Sequence, residues 1–229
     1  MIRFFFNLSP NPMKVALALE EMGLPYEAVP VDTRKGDQFA PDFLRVNPNG
    51  KVPAIVDDGA AIFDSNAILL YLAEKTGWFG SDAGGSSRGE FLSWLMFVAS
   101  GIGPFSGQAV HFRHFAPEKV AYADTRYQYE AARHYGIADE RLAATPYLAG
   151  ATYTVADMAL WGWARMVPFI LGDDAWAKFP NLKRLFDEIS ARPAASRVEA
   201  LRTQHAGAFK AQMDDEARAV MFKHLGAAA

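Results

Sequence analysis

Ser9 and Asn11 alternate with Pro10 and Pro12 where an apolar run gives way to an amphipathic one, in "FFFNLSPNPMKVALALEE" from Phe4 to Glu21. A hydroxyl and a carboxamide two residues apart are both hydrogen-bond donors. They suit two chemistries. Asn11 ahead of Pro12 fits a helix N-cap followed by proline at the first helical position. The same pair can hold the reacting atom of a ligand, because a helix start favours negative charge. Asp64-Ser65, ahead of the apolar residues Ile68, Leu69 and Leu72, poses the same choice. It is a plain cap, or an anion site, because the free N–H groups and the dipole of a helix start both favour negative charge. One residue can do both. Other polar groups promise less. His111 and His114 lie three apart and can share a helix face. No carboxylate or further histidine stands at ligand spacing, so no metal site is expected. Trp94, Phe97, Trp161, Trp163 and Phe169 can line a pocket, but their helical spacing and apolar neighbours favour core.

The chain as a whole narrows the chemistry. Its 229 residues suit one large domain or two small ones. With 51% hydrophobic and 21% charged residues it has the composition of a soluble globular protein. A net charge of −3 carries no basic signature for nucleic acid. No apolar run approaches the length of a membrane span. Phe4 to Phe6 is too short a block for a signal peptide, and Glu20 and Glu21 soon follow, so a cytoplasmic location is the expectation. There is no cysteine. Any thiol chemistry must use a thiol that arrives with a ligand.

The elements that position these residues follow from periodicity and punctuation. Ile2 to Phe6 reads as a buried strand. Val15, Ala18, Leu19 and Met22 fall on one helix face, ended by Gly23 and Pro25. Tyr26 to Asp32 reads as a second strand, placed at a sheet edge because Pro30 cannot donate a ladder bond. Pro41 to Val46 makes one or two helical turns. Val52 to Val56 and Ala61 to Phe63 are strands joined by the turn Asp57-Asp58-Gly59. A strand–helix–strand unit implies a parallel pair with a right-handed crossover, and the hairpin adds an antiparallel pair. The expectation is a four-stranded mixed sheet within residues 1–76. Residues 77–87, rich in Gly, Ser and Asp, read as a linker, and residues 88–229 as an all-helical domain. That domain is expected to hold a long helix bent at Gly101, Gly103 and Pro104 and a polar-faced helix from Lys119 to Ala143. A central helix follows, opened by a capping box at Thr154 and Asp157. Two more helices are expected, near 178–192 and 206–225.

Taken together, the strand–helix order, the block "NPNGKVPAIVDDG" with "IFDSNAILLYLAEK" and the helical second half resemble a glutathione transferase along essentially the whole chain. "SPNPMKV", "KGDQFAPDFL", "GPFSGQ", "HFRH" and "TRYQYE" are similar to the bacterial Nu class, which includes glutathione-dependent disulfide-bond reductases. The resemblance implies a thioredoxin-like first domain and glutathione as co-substrate, without a metal. It also implies a homodimer. It makes the Val52–Pro53 bond cis, with the Val52 backbone pairing with the cysteinyl backbone of glutathione. Asp64 and Ser65 then hold the γ-glutamyl end, while Ser9 and Asn11 flank the sulfur. Gln38 and Lys51 match positions reaching the backbone or glycine end. Arg126 matches an arginine contacting a second glutathione, with Gln108 beside it. Disulfide reduction is the implied reaction. Conjugation to small electrophiles and reduction of organic peroxides are alternatives for the same thiolate.

Overall fold

The structure, a computed structural model, describes residues 1–81 and 87–223. Residues 82–86 of the expected linker therefore lie outside the described residues. The chain gathers into two compact units: residues 1–68 joined by the segment from Pro193 onward, and Leu69–Arg192.

In the first unit, strand β1 (Ile2–Phe6) leads into helix α1 (Pro10–Glu21), and β2 (Tyr26–Pro30) returns beside β1. Then come a single 3-10 turn (Asp37–Phe39), the short α2 (Pro41–Val46), β3 (Ala54–Asp57), β4 (Ala60–Phe63) and the start of α3 (Ser65–Thr76). The sheet order is β2-β1-β3-β4, with β1 and β2 parallel and the other two pairs antiparallel. β2 takes the edge, as Pro30 requires. The β3–β4 turn is Asp58-Gly59, with φ of 48° and 85°, the geometry of a tight two-residue hairpin.

Helix α1 is buried all round from Pro12 to Leu19 rather than on one face. The cause lies at the far end of the chain. Helix α10 (Pro193–Gln204) packs against α1, and Arg197 donates to the Glu20 carbonyl at 2.8 Å. A helix over 206–225 is not what forms. Pro193 opens α10 at the first helical position, a 3-10 turn follows at Ala206–Ala208, and among the described residues beyond it the α-helix is Asp215–Met221, as α11. The connecting stretch lies along the loop after β2. His205 and Phe209 stand edge-on to Phe6, and the Lys210 N–H donates to Asp32 at 2.6 Å.

The second unit is helical. α4 (Arg88–Phe97) widens into a π turn (Val98–Ile102), and α5 (Gly103–Val110) continues into a second π turn (His111–Phe115). The expected bend at Gly101–Pro104 takes this form. A Cβ on Gly101 would stand 2.5 Å from His134 Cδ2, and the His134 ring is held between Phe97 and Phe105 at 5.2 and 4.9 Å. Then come α6 (Ala121–Ala144), α7 (Val155–Ala164), α8 (Val167–Leu171) and α9 (Pro180–Ser190). Every residue of α7 is buried. Its capping box is present: Asp157 accepts from Thr154 N at 2.9 Å and from Leu148 N at 2.8 Å. Burial pushes the Asp157 carboxyl up to about 6, against the pull of these donors.

Candidate functional site

Strand register gathers the candidate residues of the first unit. Phe5 pairs with Ala54, and Ala54 with Phe63. The chain leaves or enters the sheet just beyond that row in three places: after Phe6 toward Ser9, before Ala54 at Val52-Pro53, and after Phe63 at Asp64-Ser65. Phe6 also pairs with Pro30, so the loop carrying Gln38 departs from the same end. One end of one sheet thus presents two helix starts and a strand entrance.

At the first helix start, Asn7 sets the turn. Its carboxamide oxygen accepts from Ser9 N at 3.0 Å and from Ser9 Oγ at 2.6 Å, and its Nδ2 donates to Thr33 Oγ1 at 3.1 Å. Asn7 is not among the candidates that Ser9 and Asn11 bring forward, although an Asn two residues before a turn serine is the signal for such an Asx turn. Ser9 occupies the N-cap position, without a side-chain cap bond, and α1 begins at Pro10. The expectation that Asn11 caps the helix ahead of Pro12 is therefore corrected. Pro10 takes the first helical position, where its fixed φ and missing N–H cost nothing. Asn11 is the second helical residue. Among the first three, it alone carries a backbone N–H, because Pro10 and Pro12 have none. Backbone and carboxamide donors of the first turn thus converge on one residue. Ser9 is exposed and Asn11 half-buried.

At the strand entrance, the Val52–Pro53 bond is cis, as expected. The β-ladder starts at Ala54, so Val52 stands just outside it, half-buried, beside exposed Lys51. Buried Asn47 shapes the approach: it donates to Lys51 O at 2.6 Å and accepts from Asn49 N at 3.0 Å. Gly50, at φ 62°, lies so close that a Cβ there would stand 3.3 Å from the Gln38 carbonyl. Gln38 is buried. Its Nε2 donates to Thr33 O at 3.2 Å, and its Oε1 has no protein partner. An acceptor left this way suits an N–H from a ligand.

At the second helix start, Asp64 has φ 67°. Its Oδ1 accepts from Asn66 N at 2.8 Å and Ala67 N at 3.1 Å, so Asp64 rather than Ser65 is the cap. Ser65 is buried at the first helical position. Beneath this turn lies Lys14, a residue not among the candidates that the sequence brings forward. Lys14 is 1% exposed and donates to Asn66 Oδ1 at 2.9 Å. Burial pushes its ammonium down to about 7, and Asp64 opposes the shift.

Gln108 and Arg126 belong to the second unit, exposed on α5 and α6. Arg126 lies 3.5 Å from Glu130. His114 Nε2 is engaged with Phe169 O at 3.0 Å and its ring stacks on Phe169. Among the described residues, no group of three His, Cys, Asp or Glu can hold a metal ion. No helix among them is long and apolar enough to cross a membrane. Trp161 and Trp163 are core, as expected, whereas Phe169 is 44% exposed.

Comparison with known proteins adds to this geometry. The family model of the glutathione S-transferase N-terminal domain matches residues 8–75, and that of the C-terminal domain matches residues 104–193. The chain is 40% identical to the disulfide-bond oxidoreductase YfcG of Escherichia coli, over 94% of its own length and 98% of that protein's. A glutathione transferase family member from Pseudomonas fluorescens, with two glutathione bound, superposes with a TM-score of 0.78 at 38% identity, covering 86% of this chain and 91% of the other. The transferase URE2P6 from Phanerochaete chrysosporium, in complex with oxidized glutathione, superposes at 0.83 with 35% identity, covering 89% and 96%.

Proposed function

The chain belongs to the glutathione S-transferase family, and from that premise we propose that it reduces disulfides with glutathione. The observation that carries this reading is the entry of α1. A hydroxyl residue and the donors of Asn11 meet there, in a chain with no cysteine, so the reacting sulfur is the ligand's. YfcG and the glutathione-bound relatives support the same reading.

A free thiol titrates near pH 8.5, and lowering that by about two units requires roughly 2.7 kcal/mol of preference for the anion. A helix start contributes about 0.3–2 kcal/mol, and a hydrogen bond to a charged group about 1.5–3. Asn11 on α1 supplies both. Ser9 adds a second donor once its hydroxyl turns from Asn7 to the sulfur. The thiolate attacks one sulfur of the substrate disulfide, forming a mixed disulfide and releasing a substrate thiolate. A second glutathione thiolate attacks the mixed disulfide at the glutathione sulfur. Oxidised glutathione forms, and the second substrate thiolate leaves to take up a proton.

In this reading the Val52 backbone pairs with the cysteinyl backbone of glutathione in the manner of an added strand. Ser65 and Asp64 take the γ-glutamyl carboxylate and amine. Gln38 Oε1 accepts a backbone N–H of the ligand, and Lys51 meets the glycine carboxylate. Arg126 and Gln108 serve a second glutathione. We place the chain in the Nu class, as a cytoplasmic homodimer. The test is turnover of a small disulfide with glutathione, coupled to glutathione reductase. A rate no greater than that of the uncatalysed mixture rejects the reading, and higher activity on an electrophile such as a chloronitroarene replaces it with conjugation.

A further inference from the structure

We propose that Lys14 is a positioning residue of the glutathione site, which through Asn66 fixes the Asp64–Ser65 turn against the start of α1. The inference rests on the glutathione reading above and goes beyond it to a residue that need not touch the ligand. Lys14 stands one helical turn after Asn11, so its backbone belongs to the element that holds the sulfur. Its side chain leaves that element. Nζ reaches Asn66 Oδ1 at 2.9 Å, across 52 residues of sequence. The Asn66 main chain in turn donates to Asp64 Oδ1 at 2.8 Å. Two bonds therefore run from α1 through Asn66 to Asp64, the residue at φ 67°. A side chain other than glycine in that region persists only where its surroundings hold it there. The links to Asn66 and Ala67, with Lys14 behind Asn66, are the visible restraint.

A purely space-filling role does not explain a lysine. The flanking residues Met13, Val15, Ala16, Leu17 and Ala18 are buried and apolar, and methionine or leucine would fill the same volume without desolvating an amine. Fully buried lysine is rare unless it is paired. What lysine adds is a donor at the end of a long stem, aimed at the carboxamide of the second residue of α3. The bond does not depend on charge, since ammonium and amine both carry N–H groups. Ser65 lies between Asp64 and Asn66, so restraining those two fixes the Ser65 N–H and hydroxyl. The γ-glutamyl end of glutathione then meets a turn already in its binding geometry.

The experiment is a double-mutant cycle of Lys14→Met and Asn66→Ala, read by glutathione Kd from calorimetry, by kcat at saturating glutathione and by Tm. Lys14→Met is expected to raise Kd and the glutathione KM about tenfold while kcat stays within about twofold and Tm does not fall. Asn66→Ala raises Kd by a similar factor, and the double variant shows about the same tenfold loss rather than about a hundredfold. A wild-type Kd in Lys14→Met, or independent effects that multiply in the double variant, overturns the proposal. So does a loss confined to kcat or to Tm. Should Lys14→Met fail to fold, Asn66→Ala breaks the same bond from the other side, and an unchanged Kd there overturns it equally. Failure of the wild-type protein to bind glutathione at all is a different result: it removes the functional reading and this inference with it.

Discussion

Asp157→Ala removes the one carboxylate on which the start of α7 depends. Asp157 is fully buried, and its oxygens accept from Leu148 N, Thr154 N and Thr154 Oγ at 2.8, 2.9 and 3.0 Å. Alanine leaves the two backbone N–H groups without an acceptor at a site 0% exposed. An unsatisfied buried donor costs about 1–3 kcal/mol, so the pair costs about 2–6. For a chain of this size each kcal/mol lowers Tm by about 2–4 °C, so a central loss of about 4 kcal/mol predicts a fall of about 8–16 °C. Asp157→Asn keeps the shape but has one acceptor oxygen in place of two, and is expected to lose about half as much. The pH dependence supplies a second handle. The folded carboxyl is raised to about 6 from 3.8. The folded protein therefore keeps this proton where the unfolded chain has released it. That contribution is fully present below about pH 4 and is lost as pH rises through about 6. Asp157→Asn should flatten this slope. Urea unfolding at several pH values and thermal unfolding together provide the assay. A loss below about 1 kcal/mol for Asp157→Ala, the range of ordinary surface changes, would show that the capping box does not hold α7.

Asn11→Ala should fold normally, because Ser9 and not Asn11 occupies the cap position. Loss of a hydrogen bond to a charged sulfur predicts a fall in kcat/KM of about 10- to 150-fold, measured by coupled disulfide turnover. Asn11→Asp, which sets a carboxylate beside the thiolate, should lose more, and Ser9→Ala less. Lys14→Met should stabilise the protein most at low pH. The folded value near 7 lies below the ordinary 10.5, so stability from this group is present above about pH 10.5 and lost as pH falls through 7. The full difference is about 5 kcal/mol, and urea unfolding at pH 6 and pH 9 measures its change. Gly101→Ala drives a methyl into the His134 ring, 2.5 Å from where its Cβ would stand. Because Phe97 and Phe105 hold that ring on both faces, overpacking of about 1–3 kcal/mol is expected in the same unfolding assay.

Most of the sheet was legible in the sequence, because each strand carries local punctuation: Pro30 for the edge, Asp58-Gly59 for the hairpin, Asp64 for the helix entrance. The helix over 206–225 failed for a physical reason. The Arg192-Pro193 break starts a helix that ends at Gln204, and the chain beyond it is shaped by contacts with Phe6 and Asp32, almost the whole sequence away. The α1 boundary failed on a competition between prolines, where Asn11-Pro12 looked like a cap and first turn while Pro10 already filled that role. Ser9, Asn11 and Asp64-Ser65 stand out as candidates because cap and anion-site chemistry use a short list of residue types, whereas Val52-Pro53 is marked by the family resemblance alone. Asn7, Asn47 and Lys14 do not. Each acts through a bond whose partner must be seen. Lys14 in particular sits in an apolar helical run, where periodicity alone reads it as a solvent-facing charge.

The proposed reaction depends on a glutathione thiolate held at the start of α1. Its most direct test is the ultraviolet absorbance of the thiolate in the glutathione complex, followed as a function of pH. The bound thiol is expected to titrate at about pH 6.5, some two units below the free thiol, and Asn11→Ala to return it most of the way. A bound thiol that titrates near pH 8.5 in the wild-type protein would show that the start of α1 does not hold a thiolate.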